Sequence, residues 1–134
     1  MNRYREVSDI AEQNYIITST AGGSVKIGED VFVRLITSTV EELESVAGFS
    51  AAYSAELAEL VGKRNLARGI SLTTEEDGSI RIDVMLQVRY GYNVAQTAET
   101  VQETVRAAVE ATTGIVCRVN VHVTGISFEK AETK

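Results

Sequence analysis

The sequence predicts a two-layer α+β domain, a mixed β-sheet of three to five strands with two main helices packed on one face. Three observations carry that expectation. Residues 79–90 alternate in polarity: Ile80, Ile82, Val84, Leu86, Val88 and Tyr90 point one way, while Arg81, Asp83, Gln87 and Arg89 point the other, with Met85 the exception. Successive side chains of a strand face opposite sides of a sheet, so this is a strand with one dry and one wet face. Residues 115–123 repeat the pattern, with Ile115, Cys117, Val119, Val121 and Val123 set against Arg118, Asn120 and His122. Between the two, residues 93–113 carry Val94, Ala98, Val101, Val105, Ala108 and Thr112 at helical spacing. A helix layer then covers one side of the sheet, and function is expected on the open polar side.

The remaining elements follow in order. Residues 1–22 read as a flexible N-terminal arm; Tyr15-Ile16-Ile17 could form a short edge strand, but the run from Ser19 to Gly23 reads as a joint. Ser24-Val25-Lys26-Ile27 is a strand candidate closed by Gly28. A helix is expected over residues 29–45, with an apolar stripe of Phe32, Leu35, Ile36, Thr39, Val40 and Leu43. Glu29 and Asp30 suit the positive end of its dipole. Val46-Ala47-Gly48-Phe49 breaks this helix and leads into an extended stretch over 50–54. Residues 55–61 could hold a helical turn or two, followed by the basic loop Gly62-Lys63-Arg64-Asn65.

Residues 70–74 alternate again, and Glu75-Glu76-Asp77-Gly78 is a hairpin signal, because Asp-Gly tolerates the positive φ angles of tight turns. Residues 70–74 and 79–90 should therefore pair antiparallel. Asn93 can cap the second helix, with Gln96 placed as in a capping box, and Gly114 supplies a left-handed stop. The last strand changes phase at Gly125, so a bulge there would keep Ile126 and Phe128 in the core. The single domain spans residues 23–128, and 129–134 form a charged tail.

Composition bounds the function. At 134 residues the chain makes one domain able to bury roughly two-thirds of its unfolded surface. No apolar run approaches the ~20 residues that span a bilayer, and no secretory leader is visible, so a cytoplasmic protein without direct membrane insertion is expected. One cysteine excludes an internal disulfide, and Cys117 reads as a small core residue. The net charge of −6 disfavours nucleic acid and anionic lipid, whose binding rests on neutralising phosphates.

No motif carries catalysis, a metal or a cofactor. His122 is the sole histidine, with no acid, serine or cysteine set beside it by spacing alone, and it reads as a solvated or interface residue. One histidine and one cysteine on opposite strand faces do not make a zinc site. Glu75-Glu76-Asp77 lacks the spaced ligands of a calcium loop. Gly62-Lys63-Arg64 resembles the end of a phosphate-binding loop, but Leu57 stands where a glycine is required and Arg64 where a hydroxyl is. Lys63, Arg64 and Arg68 remain a small basic cluster that could meet an anion, RNA or an acidic partner, or be a plain solvated loop. Arg81, Asp83, Gln87, Arg89, Arg118, Asn120 and His122 on the polar sheet face form the main candidate interaction surface, and edge strands offer a second route by main-chain pairing.

A series of short motifs is also recognisable. Gly23-Ser24-Val25-Lys26-Ile27, Val46-Ala47-Gly48-Phe49, Gly69-Ile70-Ser71-Leu72 and Tyr90-Gly91 are followed by Val101-Gln102-Glu103-Thr104-Val105, Thr113-Gly114 and Val119-Asn120-Val121-His122-Val123. In that order and spacing they resemble the alkaline shock protein family of envelope stress response proteins, over residues 23–128. Gly28, where that family often has serine, and Phe49, where it has leucine, are mild departures. The resemblance implies a small non-enzymatic protein of Gram-positive bacteria with no catalytic residues to transfer. It also implies a homo-oligomer held at the cytoplasmic face of the membrane by a membrane-anchored protein partner. Two rivals stand beside this reading. A KH-like nucleic-acid-binding module would need a Gly-x-x-Gly loop that the chain lacks, and a regulator of a lipid-synthesis enzyme is the other.

Overall fold

In a computed structural model the described residues are 15–50 and 69–129. Their elements, in order, are β1 (Tyr15–Thr20), β2 (Gly23–Gly28), α1 (Glu29–Glu41), β3 (Val46–Phe49), β4 (Ile70–Thr74), β5 (Ile80–Arg89), α2 (Val94–Thr113) and β6 (Cys117–Ser127). β1 and β2 form a separate two-stranded antiparallel sheet, with Tyr15 opposite Gly28 and Thr20 opposite Gly23. The other four strands form one mixed sheet around β5. The α+β class with helices packed on a sheet is as expected.

β5 is central because its alternation supplies both the ladder and the core. One edge pairs in parallel with β6 along its length, from Ile80 opposite Cys117 to Arg89 opposite Ser127. The other edge takes β4 and β3 end to end, both antiparallel. They meet at Met85, whose N–H donates to Gly69 O at 2.8 Å and whose carbonyl accepts from Ser50 N–H at 2.9 Å. Gly69 sits in this junction with φ +77°, and a Cβ there would lie 2.6 Å from Ser50 O, so only glycine fits.

The core lies between the sheet and the helices. Phe32, Ile36 and Val40 of α1 and Val101, Val105 and Val109 of α2 cluster with Ile80, Ile82, Val84, Leu86 and Val88 of β5, all wholly buried. Each large aliphatic side chain buried this way stabilises the fold by about 1.5–3 kcal/mol before entropic costs. In α2 the buried stripe is Thr97, Val101, Val105 and Val109, spaced four residues apart, while Val94 is 38% exposed. It shares Val101 and Val105 with the predicted stripe, but Thr97 is buried rather than Val94 or Ala98, and Val109 rather than Ala108 or Thr112. The helix ends match their signals. Asn93 accepts from Gln96 N–H at 2.8 Å, and Gly114 adopts φ +77°.

Several expectations need correction. The edge-strand candidate Tyr15-Ile16-Ile17 is a strand, but it runs on to Thr20 through residues expected in an arm or joint, closing on β2 with Ile16 buried against the core. α1 stops at Glu41, short of residue 45, and Val46–Phe49 is a strand rather than a break, held to β5 across a bulge at Ala47. β4 and β5 do pair antiparallel, but the turn is longer than a two-residue hairpin: Thr74 faces Ile80, Glu75 N–H donates to Ser79 O at 2.8 Å, and Asp77 accepts from Ser79 N–H at 2.9 Å. The phase change in β6 is a bulge, since Val123 faces Leu86 and Gly125 faces Gln87. It does not return Ile126 and Phe128 to the core, because these are 40% and 75% exposed. The expected extended stretch over 51–54, the helical turn over 55–61 and the tail from residue 130 lie outside the described residues.

Candidate functional site

Three rows of residues cross the face of the sheet away from the core: Thr73–Arg81–Arg118, Ser71–Asp83–Asn120, and Met85 beside His122. Strand alternation puts them there, as expected, but the face is not open throughout. Ser71 and Asp83 are 2% and 3% exposed and Met85 is wholly buried. The expectation of a wet face centred on Asp83 is therefore corrected, since a carboxylate is buried only where donors replace its water.

Asp83 has those donors. Its Oδ2 accepts from Arg81 Nε at 3.1 Å, and its Oδ1 accepts from Asn120 Nδ2 at 3.2 Å and lies 3.0 Å from His122 Nε2. Arg81 also approaches Thr73 Oγ1 at 3.4 Å and Glu75 at 3.9 Å. Four of the seven sheet-face candidates thus form one seam, stitched from β5 to β6 by a buried charge. Charge-assisted bonds of this kind fix geometry strongly.

The other three lie apart. Arg89 reaches back to the α1–β3 connection, donating from Nη1 to Glu44 O at 2.8 Å and Val46 O at 2.9 Å, with Nε buried and without a hydrogen-bond partner among the described residues. Gln87 is exposed and lies over Gly125, where a Cβ would come within 3.3 Å of its Nε2. Arg118 is exposed near the Asp77 turn. Hydrogen bonds from Ser79 hold the Asp77 carboxyl below the usual carboxylate range, with Arg118 adding to this. Lys63, Arg64 and Arg68 lie outside the described residues.

The sole cysteine stands apart from the seam. Cys117 is on the core face, and burial, with Glu110 nearby, pushes its thiol up to about 11, so it stays protonated and unreactive near neutrality. Among the described residues no cluster of three or more His, Cys, Asp or Glu is placed to hold a metal ion. No helix there is long and apolar enough to cross a membrane.

Sequence reasoning missed one surface. Tyr90 and Phe128, just beyond the ends of β5 and β6, stack with ring centroids 4.9 Å apart and are 70% and 75% exposed. Ile126 and Tyr92 are also exposed, at 40% and 42%. Phase alone assigns both rings to the core side. The available signal is the bulge: an extra residue in β6 is free to turn the strand end outward instead of restoring the core phase.

Comparisons with known proteins place the chain in a family. A segment of residues 17–128 matches the model of the alkaline shock protein family, described as having a cell envelope-related function. The chain is similar to Uncharacterized protein Spy1535 of Streptococcus pyogenes, with 32% identity over 102 residues, covering 75% of this chain and 74% of that one. It is also similar to Uncharacterized protein YloU of Bacillus subtilis, with 27% identity over 110 residues, covering 80% and 91%. No solved structure gives a significant match. With most of its length matched by the family model, and with Gram-positive relatives, this chain belongs to the alkaline shock protein family that its motifs resemble.

Proposed function

We propose that the protein is a non-enzymatic scaffold of the cell envelope or general stress response. It self-associates in the cytoplasm and is recruited to the inner face of the membrane by a membrane-anchored protein. The observation that carries this reading is the exposed, stacked pair of Tyr90 and Phe128 on a domain with net charge −6. Stacked aromatics left in water at the end of a sheet are a typical anchor for a protein partner, and aromatic side chains dominate binding energy at such contacts. The acidic charge keeps the domain from binding anionic headgroups directly, which favours recruitment through a protein. The seam around Asp83 supports the non-enzymatic part, because its buried carboxylate is held by Arg81, Asn120 and His122 as a cross-link from β5 to β6.

The test is the location of a fluorescently tagged chain in a Gram-positive cell. The parent is expected at the cell periphery, and a Tyr90→Asp/Phe128→Asp variant is expected to be diffuse with an unchanged circular dichroism spectrum. A variant that stays at the periphery would move the contact off the platform. A parent that is diffuse and co-purifies with nuclease-sensitive RNA would replace the scaffold reading with the nucleic-acid one.

A further inference from the structure

The two ends of β5 differ in how their charges are met. Where the strand begins, acidic side chains have cations beside them: Arg81 bonds Asp83 and approaches Glu75, and Arg118 stands near Asp77. Where it ends, they do not. α1 closes at Glu41 with no basic residue in its last turn, and Glu41, Glu42 and Glu44 sit around the negative pole of its dipole, all exposed. Carboxylates in that position repel the helix carbonyls and one another, so the arrangement is unfavourable for the chain alone. Arg89 lines a hollow of about 360 Å³ with the three glutamates, but its Nη1 donates to the carbonyls of Glu44 and Val46 instead. None of the three forms an ion pair among the described residues.

This unmatched charge borders the Tyr90–Phe128 platform. Ser45 O accepts from Arg89 N–H at 2.9 Å and Ser127 O accepts from Tyr90 N–H at 2.7 Å, so the glutamate-bearing connection and the ends of β5 and β6 lie side by side. Glu44 and Tyr92 line one hollow of about 290 Å³ with Asn93, Gln96 and Thr97, and Glu129, also exposed, follows Phe128 directly. Ser50 and Gly69, between which the undescribed residues 51–68 run, are bonded to Met85 in the middle of β5 rather than at this end. A ligand that covers the stacked rings needs apolar surface, and one that settles over the carboxylates needs cations. Arginine supplies both, because its stem is apolar and its guanidinium stacks on aromatic faces and pairs with carboxylates. Anionic headgroups and nucleic acid are repelled by the same rim. We propose that the platform takes a basic protein segment, in which arginines flank a large apolar side chain, with Glu41, Glu42, Glu44 and Glu129 as its complementary rim. This rests on the platform being the protein contact of the function proposed above.

The chain has no tryptophan, so Phe128→Trp puts a single fluorescent reporter on the platform of the full chain. Caesium ions are expected to quench it better than iodide ions, each measured against free N-acetyltryptophanamide, because a negative surface attracts one and repels the other. That preference should shrink in Glu41→Gln/Glu42→Gln/Glu44→Gln. Protection from both ions would mean that the chain's own residues cover the ring, and equal quenching that no negative field surrounds it; either overturns the proposal. The reporter is then titrated at low salt with two end-blocked peptides, Arg-Leu-Arg-Phe-Arg and Glu-Leu-Glu-Phe-Glu. The arginine peptide is expected to bind more than about tenfold tighter, and to lose about tenfold in the triple glutamine variant, the sum of three exposed charge pairs. Salt at about 0.5 M should remove the same advantage. Equal binding of the two peptides would overturn the basic segment and leave the platform as a contact. Binding of neither would also overturn it, and the Tyr90→Asp/Phe128→Asp variant then decides the platform itself. If that variant is diffuse in the cell, a partner of other chemistry docks there; if it stays at the periphery, the platform is not the contact.

Discussion

The two faces of β5 are both buried at the middle of the strand, but by different means. On one face Ile80, Ile82, Val84, Leu86 and Val88 are wholly buried against the helices. On the other, Asp83 and Met85 are as inaccessible, yet Gln87 two residues on is exposed. The first face is held by area, which is non-directional and tolerates changes of shape in proportion to volume. The second is held by a carboxylate and the donors around it, which work in one arrangement and leave a buried charge if one is lost. A single strand thus carries a graded core and an all-or-none seam, and the seam fixes the β5–β6 register that places the Tyr90–Phe128 platform.

The largest effect should come from the apolar face. Leu86→Ala is expected to cost about 3–4 kcal/mol in urea unfolding, from lost transfer energy and the cavity left behind. Leu86→Met, which keeps the volume, should cost less than about 1.5 kcal/mol. Next comes the seam. Asp83→Ala is expected to cost about 2–3 kcal/mol, because it strands Arg81, Asn120 and His122 without their acceptor. Here the isosteric change should not rescue: Asp83→Asn keeps the volume but turns a donor towards donors. If Asp83→Asn were as mild as Leu86→Met, the distinction between the faces would collapse.

A third test uses pH on the apolar face. The Cys117 thiol, raised from 9.0 to about 11 mainly by burial, binds its proton more tightly in the folded chain than in the unfolded one. The folded state is therefore favoured below about pH 9, and the gain is lost as pH rises through about 11, by roughly 2 kcal/mol in total. Unfolding of the parent and of Cys117→Ala, compared between pH 8 and 11, isolates the cysteine from lysines and tyrosines that titrate nearby. Parallel slopes for the two proteins would show that the thiol is open to water.

Most of this architecture is legible in the residues, because alternation in β5 and β6, the Asn93 cap and the Gly114 stop are local signals. Burial on the polar face is not legible in the same way, since alternation reports which side a residue is on and not what lies over that side. The one clue is Met85, an apolar residue out of phase among charged ones, which marks where the face is dry. The site divides similarly. Asp83, Asn120 and His122 can be named as sharing a face, but their convergence depends on the parallel register that puts Asp83 opposite Asn120, and no spacing within either strand encodes a register between them. Tyr90 and Phe128 escape sequence reasoning for the related reason that phase alone does not say which way a strand end turns.

The smallest effect is the one that divides the polar face against itself. Arg118 stands beside Arg81 across the β5–β6 ladder, on the same face as the seam, but it is exposed and Arg81 carries the bond to Asp83. Arg118→Ala is therefore expected to change stability by less than about 0.5 kcal/mol, as for exposed charges whose interactions water and salt screen. Arg81→Ala should cost clearly more, on the order of 1–2 kcal/mol, by removing a charged donor from a buried carboxylate. Urea midpoints of the two variants at low and high salt separate the cases. The Arg81 effect should persist at about 1 M salt because its acceptor is buried, while any Arg118 effect should vanish. Equal and equally screened effects would mean that the carboxylate is hydrated, and the face would then be a solvated surface throughout.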